Sequence, residues 1–131
     1  MKKKTERAKL KDKLDNEWRI YIYERAGNKC EYCGSPITLN AHHIFSKSNP
    51  SVKWDIDNGV CVCVSHHVFG NMSFHKAPAE MIEWIREARG EEWYGRLRLN
   101  ARPGKKDSIA DLRNMLDYFR KENKEEGNEK V

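Results

Sequence analysis

Asn58-Gly59-Val60-Cys61-Val62-Cys63-Val64-Ser65-His66-His67 is the stretch on which the fold of this chain turns. Asn58 to Cys63 reads as a short return strand, and Ser65 to about Gly70 as a short helix carrying two histidines. Upstream, Ala41-His42-His43-Ile44-Phe45 reads as the partner strand, and Cys30-x-x-Cys33 as a tight turn before it. Phe74-His75 closes the region. All four cysteines and all five histidines therefore fall between Cys30 and His75, and the rest of the chain carries none.

Two sets of residues separate within this region. Cys30, Cys33, Cys63 and His66 have the spacing of a closed zinc knuckle, because two residues between ligands let one turn present both side chains to one ion. Gly34 stands where such a knuckle turns sharply. Cys61 is the spare cysteine. Pairing it with His66 instead leaves four residues between the ligands. Two disulfides or buried free thiols are the competing readings. A disulfide framework needs an oxidising compartment, and Met1-Lys2-Lys3-Lys4 leads into no apolar run of the secretory kind.

The second set is His42, His43, Asn58, His67 and, as further candidates, Asn71 and His75. Successive strand residues face opposite ways, so His42 and His43 cannot share one role. One can ligate a metal while the other stays free as a base. Asn71 lies four residues after His67, on the same face of a helix. A neutral imidazole suits proton abstraction because its pKa lies close to working pH.

The order Cys-x-x-Cys, His-His-Ile, Asn-Gly-Val, Cys-x-x-His-His resembles the HNH endonuclease family and, more narrowly, the small HNH proteins of tailed bacteriophages. Phe74-His75-Lys76 with Pro78 and Trp84 is similar to the helix that follows the motif in that group. The resemblance covers about residues 28–105. It implies a small α+β fold, a ββα-metal finger with a structural zinc knuckle, flanked by additional helices. It implies that His42 and His67 ligate a catalytic divalent metal (Mg2+, Mn2+, Ni2+ or Zn2+), that His43 is the general base and that Asn58 fixes the loop facing it. One departure stands out. Many members have Cys-x-x-Cys before the final histidine, whereas this chain has Cys63-x-x-His66. Two registers follow, with either His67 or His66 at the catalytic metal. The implied activity is hydrolysis of DNA phosphodiester bonds, as a nicking enzyme of little sequence specificity acting in phage genome packaging beside terminase subunits. The alternative is a zinc-containing DNA-binding module without catalysis, which leaves His42, His43 and Asn58 unused.

Composition agrees with this class. The 131 residues carry a net charge of +5, unevenly placed. Residues 1–29 hold ten Lys/Arg against five Asp/Glu, and residues 86–106 seven against three, while the metal-rich segment between them is slightly acidic. Basic flanks suit phosphate contacts that need no base reading. Arg96, Arg98 and Arg102 are candidates for that task, and Arg25 for a phosphate beside the site. No run is apolar enough to span a bilayer. A soluble, monomeric protein of the host cytoplasm is expected. A core this small gains from a structural metal.

Four segments are expected: a basic N-terminal helix (1–27), the HNH core with its knuckle (28–76), a helix with a basic segment packed on it (77–106), and a C-terminal helix with a charged tail (107–131). Leu10, Leu14, Trp18, Tyr21 and Ile22 recur at helical spacing, and Gly27 stops that helix. Ser46 to Ile56 reads as a polar loop. Pro78 opens a helix that Gly90 ends. Met81, Ile82, Ile85 and Ala88 form its buried face. Pro103 to Lys106 is a linker. Ser108 and Asp111 resemble a capping box ahead of Ile109, Leu112, Leu116 and Phe119. From Glu122 the charge density predicts disorder.

Overall fold

A computed structural model describes residues 3–102 and 107–129; the linker at Pro103–Lys106 lies outside the described residues. The protein is a small α+β structure in which one two-stranded hairpin is sandwiched between helices. The order is α1 (Glu6–Arg25), β1 (Leu39–His43), a 3-10 turn (Ile56–Asn58), β2 (Gly59–Cys63), a π-helical turn (Ser65–Phe69), α2 (Pro78–Arg89), α3 (Glu91–Asn100) and α4 (Ile109–Glu129). No helix among the described residues is long and apolar enough to cross a membrane.

The strands pair antiparallel, with His42 opposite Val60 and His43 opposite Gly59. Because cross-strand partners share a face, the two histidines are delivered to opposite sides of the hairpin. Each side has its own core. Val60, Val62, Cys63, Cys30 and Phe74 pack with Met81 and Ile85 of α2 and Trp93 and Leu97 of α3. Leu10, Leu14, Trp18 and Ile22 of α1 pack with Leu112, Leu116 and Phe119 of α4, and with Trp54 and Cys61. The first and last helices are thus one layer, although they lie at the two ends of the sequence.

The signals at Pro78, Gly90, Ser108 and Asp111 act as read, and the start of α1 adds one that was not read. Thr5 caps α1 by accepting from the Ala8 N–H at 3.1 Å. Ser108 and Asp111 exchange reciprocal hydrogen bonds at 2.9 and 3.0 Å. Pro78 opens α2, and Gly90, at φ +94°, is both its end and the start of α3. The return strand begins at Gly59, one residue later than read, and two boundaries differ by more. The first strand is Leu39–His43 and not Ala41–Phe45: beyond His43 the backbone bonds turn to Asn58, with the Ile44 N–H on its carbonyl at 3.0 Å. The segment expected to be disordered from Glu122 continues α4 to Glu129, and the Asn123 side-chain amide donates to the Glu17 carbonyl at 3.0 Å and to its carboxylate at 2.7 Å.

Three indole N–H groups tie the loop before β2 to the helices. Trp18 donates to the Asp55 carbonyl, Trp93 to the Asp57 carbonyl and Trp54 to the Asp15 carboxylate, at 2.8 to 3.1 Å. Arg25 adds two more anchors, donating to the carbonyls of Ile56 at 2.6 Å and Gly59 at 2.7 Å. Arg25, expected beside a phosphate, thus has two of its N–H groups on backbone carbonyls.

Candidate metal and catalytic centre

The knuckle is built by Cys30-x-x-Cys33. Gly34, at φ +79°, turns the chain so that its N–H donates to the Cys30 carbonyl at 2.8 Å, and the Cys33 N–H points at Cys30 Sγ at 3.5 Å. Cys63, at the end of β2, brings a third sulfur, 3.8 Å from that of Cys33. Bonds of about 2.3 Å in a tetrahedron put sulfurs about 3.8 Å apart, so this edge suits a zinc ion. Burial raises the Cys30 thiol, but the N–H groups of Cys63, Cys33 and Tyr32 outweigh it and hold its pKa below the ordinary value, which favours a thiolate ligand.

His66 does not join this group, against expectation. The ligand atoms of Cys30, Cys33 and Cys63 lie within 4.8 Å of one another, and no His66 nitrogen lies within that compass. Its Nδ1 is 2.8 Å from the Met72 carbonyl and its ring leans on Tyr32, with centroids 4.4 Å apart. A carbonyl only accepts, so Nδ1 carries the proton and Nε2 keeps its lone pair, the tautomer in which a histidine ordinarily ligates. Cys61 is fully buried in the α1–α4 core, and burial pushes its thiol up to about 12, as befits a packed, inert residue. All four cysteines are free of disulfides.

On the other side of the π-helical turn a second group forms from His42, His67 and His75. The chain folds back here: the Phe74 N–H donates to the His66 carbonyl at 3.0 Å and the His75 N–H to the His67 carbonyl at 3.1 Å. Buried Ser73 steadies the return by donating to the Val68 carbonyl at 3.3 Å. As a result the Nε2 atoms of His67 and His75 stand 3.3 Å apart. Two nitrogens on one zinc at about 2.0–2.1 Å are separated by a similar distance. His42 completes the triangle, its ring 4.4 Å from that of Phe74 and 4.9 Å from that of His67. Burial first, then the neighbouring imidazoles, lower the pKa of His42 to about 3, and burial and His75 lower that of His67. Both are therefore neutral near pH 7, the form that binds metal. His67 rather than His66 thus belongs to this group, and His75 is in it. Asn71 is exposed on the intervening turn and makes no hydrogen bond among the described residues.

His43 is held apart from that triangle but lines the same cleft, with Lys47 and Ser46. Its ring lies flat on Trp18, centroids 4.0 Å apart and planes within 9°. Its Nε2 faces the Lys53 carbonyl at 2.9 Å. By the same argument as for His66, Nε2 must donate, and Nδ1 keeps its lone pair. Burial lowers the pKa of His43, opposed by the Lys53 carbonyl and Asp15. Asn58, fully buried, fixes the loop that presents this carbonyl: its Oδ1 accepts from the Phe45 N–H at 2.7 Å, and its Nδ2 donates to the carbonyls of Phe45 at 3.0 Å and Val52 at 2.9 Å. Trp18 and the Lys53 carbonyl are site components that residue spacing did not reveal. Trp18 reads as core from its helical period, and a carbonyl has no sequence signal.

Arg96, expected to grip phosphate, instead donates to Asp57 at 3.1 Å on the face with Arg25, Glu31 and Arg89.

No protein family, curated protein or solved structure matches the chain.

Proposed function

We propose that this protein is a metal-dependent HNH-type endonuclease that hydrolyses DNA phosphodiester bonds. The observation that carries the reading is that a triangle of imidazoles and a fourth, separately held imidazole with a free Nδ1 converge on one cleft. A structural role alone accounts for one of these groups, not both.

His42, His67 and His75 would hold a divalent ion, which when bound polarises a phosphoryl oxygen and neutralises charge on the departing 3′-oxygen. Nδ1 of His43 takes the proton from the attacking water. The Lys53 carbonyl fixes the tautomer throughout, and the flat Trp18 face tolerates the imidazolium that forms. Asn58 acts through the loop and is a positioning residue. Cys30, Cys33 and Cys63 would hold a structural zinc, with a fourth ligand from outside the three. One site cuts one strand, so nicking is the expected outcome. Action beside terminase subunits in phage packaging rests on the family resemblance alone.

Relaxation of supercoiled plasmid, tested with Mg2+, Mn2+, Ni2+ and Zn2+ in turn, decides the matter. Nicked circles are expected with at least one ion, and their loss in His43→Ala. A protein that binds plasmid under all four ions and never nicks it is the non-catalytic DNA-binding module.

A further inference from the structure

Three hollows of about 370, 450 and 370 Å3 adjoin along one side of the molecule and share lining residues. The histidine cleft shares His43 and Lys47 with the middle hollow. The middle one shares Lys47, Ser48 and Lys53 with the third, which reaches Arg7 and Lys11. The result is one continuous groove between α1 and the loop after β1, leading away from the imidazole triangle.

Its charge is lopsided. Arg7, Lys11, Arg19, Lys47 and Lys53 line it against two acids, Asp15 and Asp107. Asp15 is already engaged, by the Trp54 N–H at 2.8 Å and by Lys53 at 3.7 Å. Arg7 donates to the backbone carbonyl of Asp107 and its charge also acts on that carboxylate, so these two partly offset each other and the groove keeps its cationic excess. Lys11, Arg19 and Lys47 have no acidic partner among the described residues. Residues 7, 11, 15 and 19 recur every four positions, so they form one row on α1. At 1.5 Å per residue that row is roughly 18 Å long. It meets the cleft because Trp18, next to Arg19, is the residue stacked on His43.

We infer that this groove is the track of a nucleic-acid strand, whose phosphates lie over Arg19, Lys47, Lys11 and Arg7 while one phosphodiester reaches the cleft. The inference rests on the nuclease reading for its direction and deepens it by assigning the substrate-holding face. It replaces the α3 arginines as the phosphate-binding segment. The row spans the axial rise of roughly five phosphates of one strand at about 3.4 Å each.

The test is binding of a fluorescent DNA duplex of mixed sequence, titrated across salt without added divalent ion so that no strand is cut. Lys11→Gln/Lys47→Gln is compared with Arg98→Gln/Arg102→Gln. Neither lysine has a partner to lose among the described residues, so equal melting temperatures are expected. Each phosphate contact contributes a slope of about 0.9 in log K against log salt. The lysine pair should therefore lower the slope by about 2 and the affinity at 0.1 M salt by about tenfold or more, and the arginine pair should do neither. Charge reversal in Lys11→Glu should weaken binding further than Lys11→Gln. Loss of affinity in the arginine pair alone, or no binding by wild type, overturns the track. Plasmid cleavage separates the two claims. Nicking with track variants that bind normally removes the track and keeps the nuclease. Track-dependent binding without nicking under any ion does the reverse.

Discussion

His42 and His43 are neighbours in the chain and opposites in surroundings. One touches Phe74 and two other imidazoles; the other lies between Trp18 and a carbonyl. They should therefore fail differently. His43→Ala should retain divalent-ion binding, measured by calorimetry, and lose nicking by about 10²–10⁴-fold. His42→Ala and His75→Ala should weaken the ion, so that excess ion partly restores nicking. The reverse pattern would exchange the roles. A pH effect follows from the same burial. The folded-state pKa of His42, about 3, lies below its ordinary 6.5, so between these values the unfolded chain binds more protons than the folded one. Metal-free protein should keep its full His42 contribution above about pH 6.5 and lose it as the pH falls toward 3, with a slope of at most about 1.4 kcal/mol per pH unit from this one group. Melting curves in chelator between pH 7.5 and 5 measure that slope, and His42→Phe, apolar beside Phe74, should flatten it. A slope unchanged in this variant would mean that other groups set the acid limit. The opposed facing of these two residues was legible in the sequence, because strand period two dictates it. Their partners were not legible, since Trp18 and the Lys53 carbonyl arrive through tertiary approach.

That approach depends on β2. A Cβ on Gly59 would sit 2.4 Å from Ile22 Cδ1 and 2.7 Å from Trp18 Cζ2, with no room for either. The backbone angle there is ordinary for any residue (φ −127°), so space alone demands glycine. Gly59→Ala should destabilise by about 1–3 kcal/mol, in the range of core overpacking. It should also lower nicking more than a remote substitution of equal cost, because Trp18 is the surface on which His43 rests. Ile22→Val removes the nearest methyl, so adding it to Gly59→Ala should recover part of the loss. Additive costs in urea titrations would show that the two do not meet. At this scale the sequence was informative about existence and less so about ends. The stripe of α1, the Pro78 start, the Gly90 stop and the Ser108–Asp111 cap are all local signals. The shift of β1 to Leu39–His43 and the continuation of α4 through Glu129 reflect partners distant in the chain. The position of His66 outside the cysteine group was not legible for the same reason, since ligand spacing does not reveal where its ring is held.

Across the whole molecule the hairpin divides the interior into two cores, and the candidate metals belong unequally to them. Cys30 and Cys63 are buried members of the core formed with α2 and α3, whereas no group suited to a metal lies among the described residues of the α1–α4 core. Four segments read from the sequence thus collapse into two layers, because Leu112, Leu116 and Phe119 find their complement on α1 and not on their chain neighbours. A structural metal contributes its binding free energy to whatever folds around it. Removal of zinc should therefore act on one layer first. Amide hydrogen exchange after chelation should show protection lost across the knuckle and residues 78–100, while the middle of α1 and residues 109–119 keep theirs. Cys30→Ala should reproduce the pattern without chelator, and Cys61→Ala should not, because Cys61 only fills space opposite the knuckle. Phe119→Ala, which empties about a ring's volume between α1 and α4, should do the converse at a cost of about 3–5 kcal/mol, loosening α1 and α4 while zinc stays stoichiometric. Uniform loss of protection in all these cases would mean that the hairpin couples the two cores into one cooperative unit. The separate roles of knuckle and helical pair would then have to be abandoned.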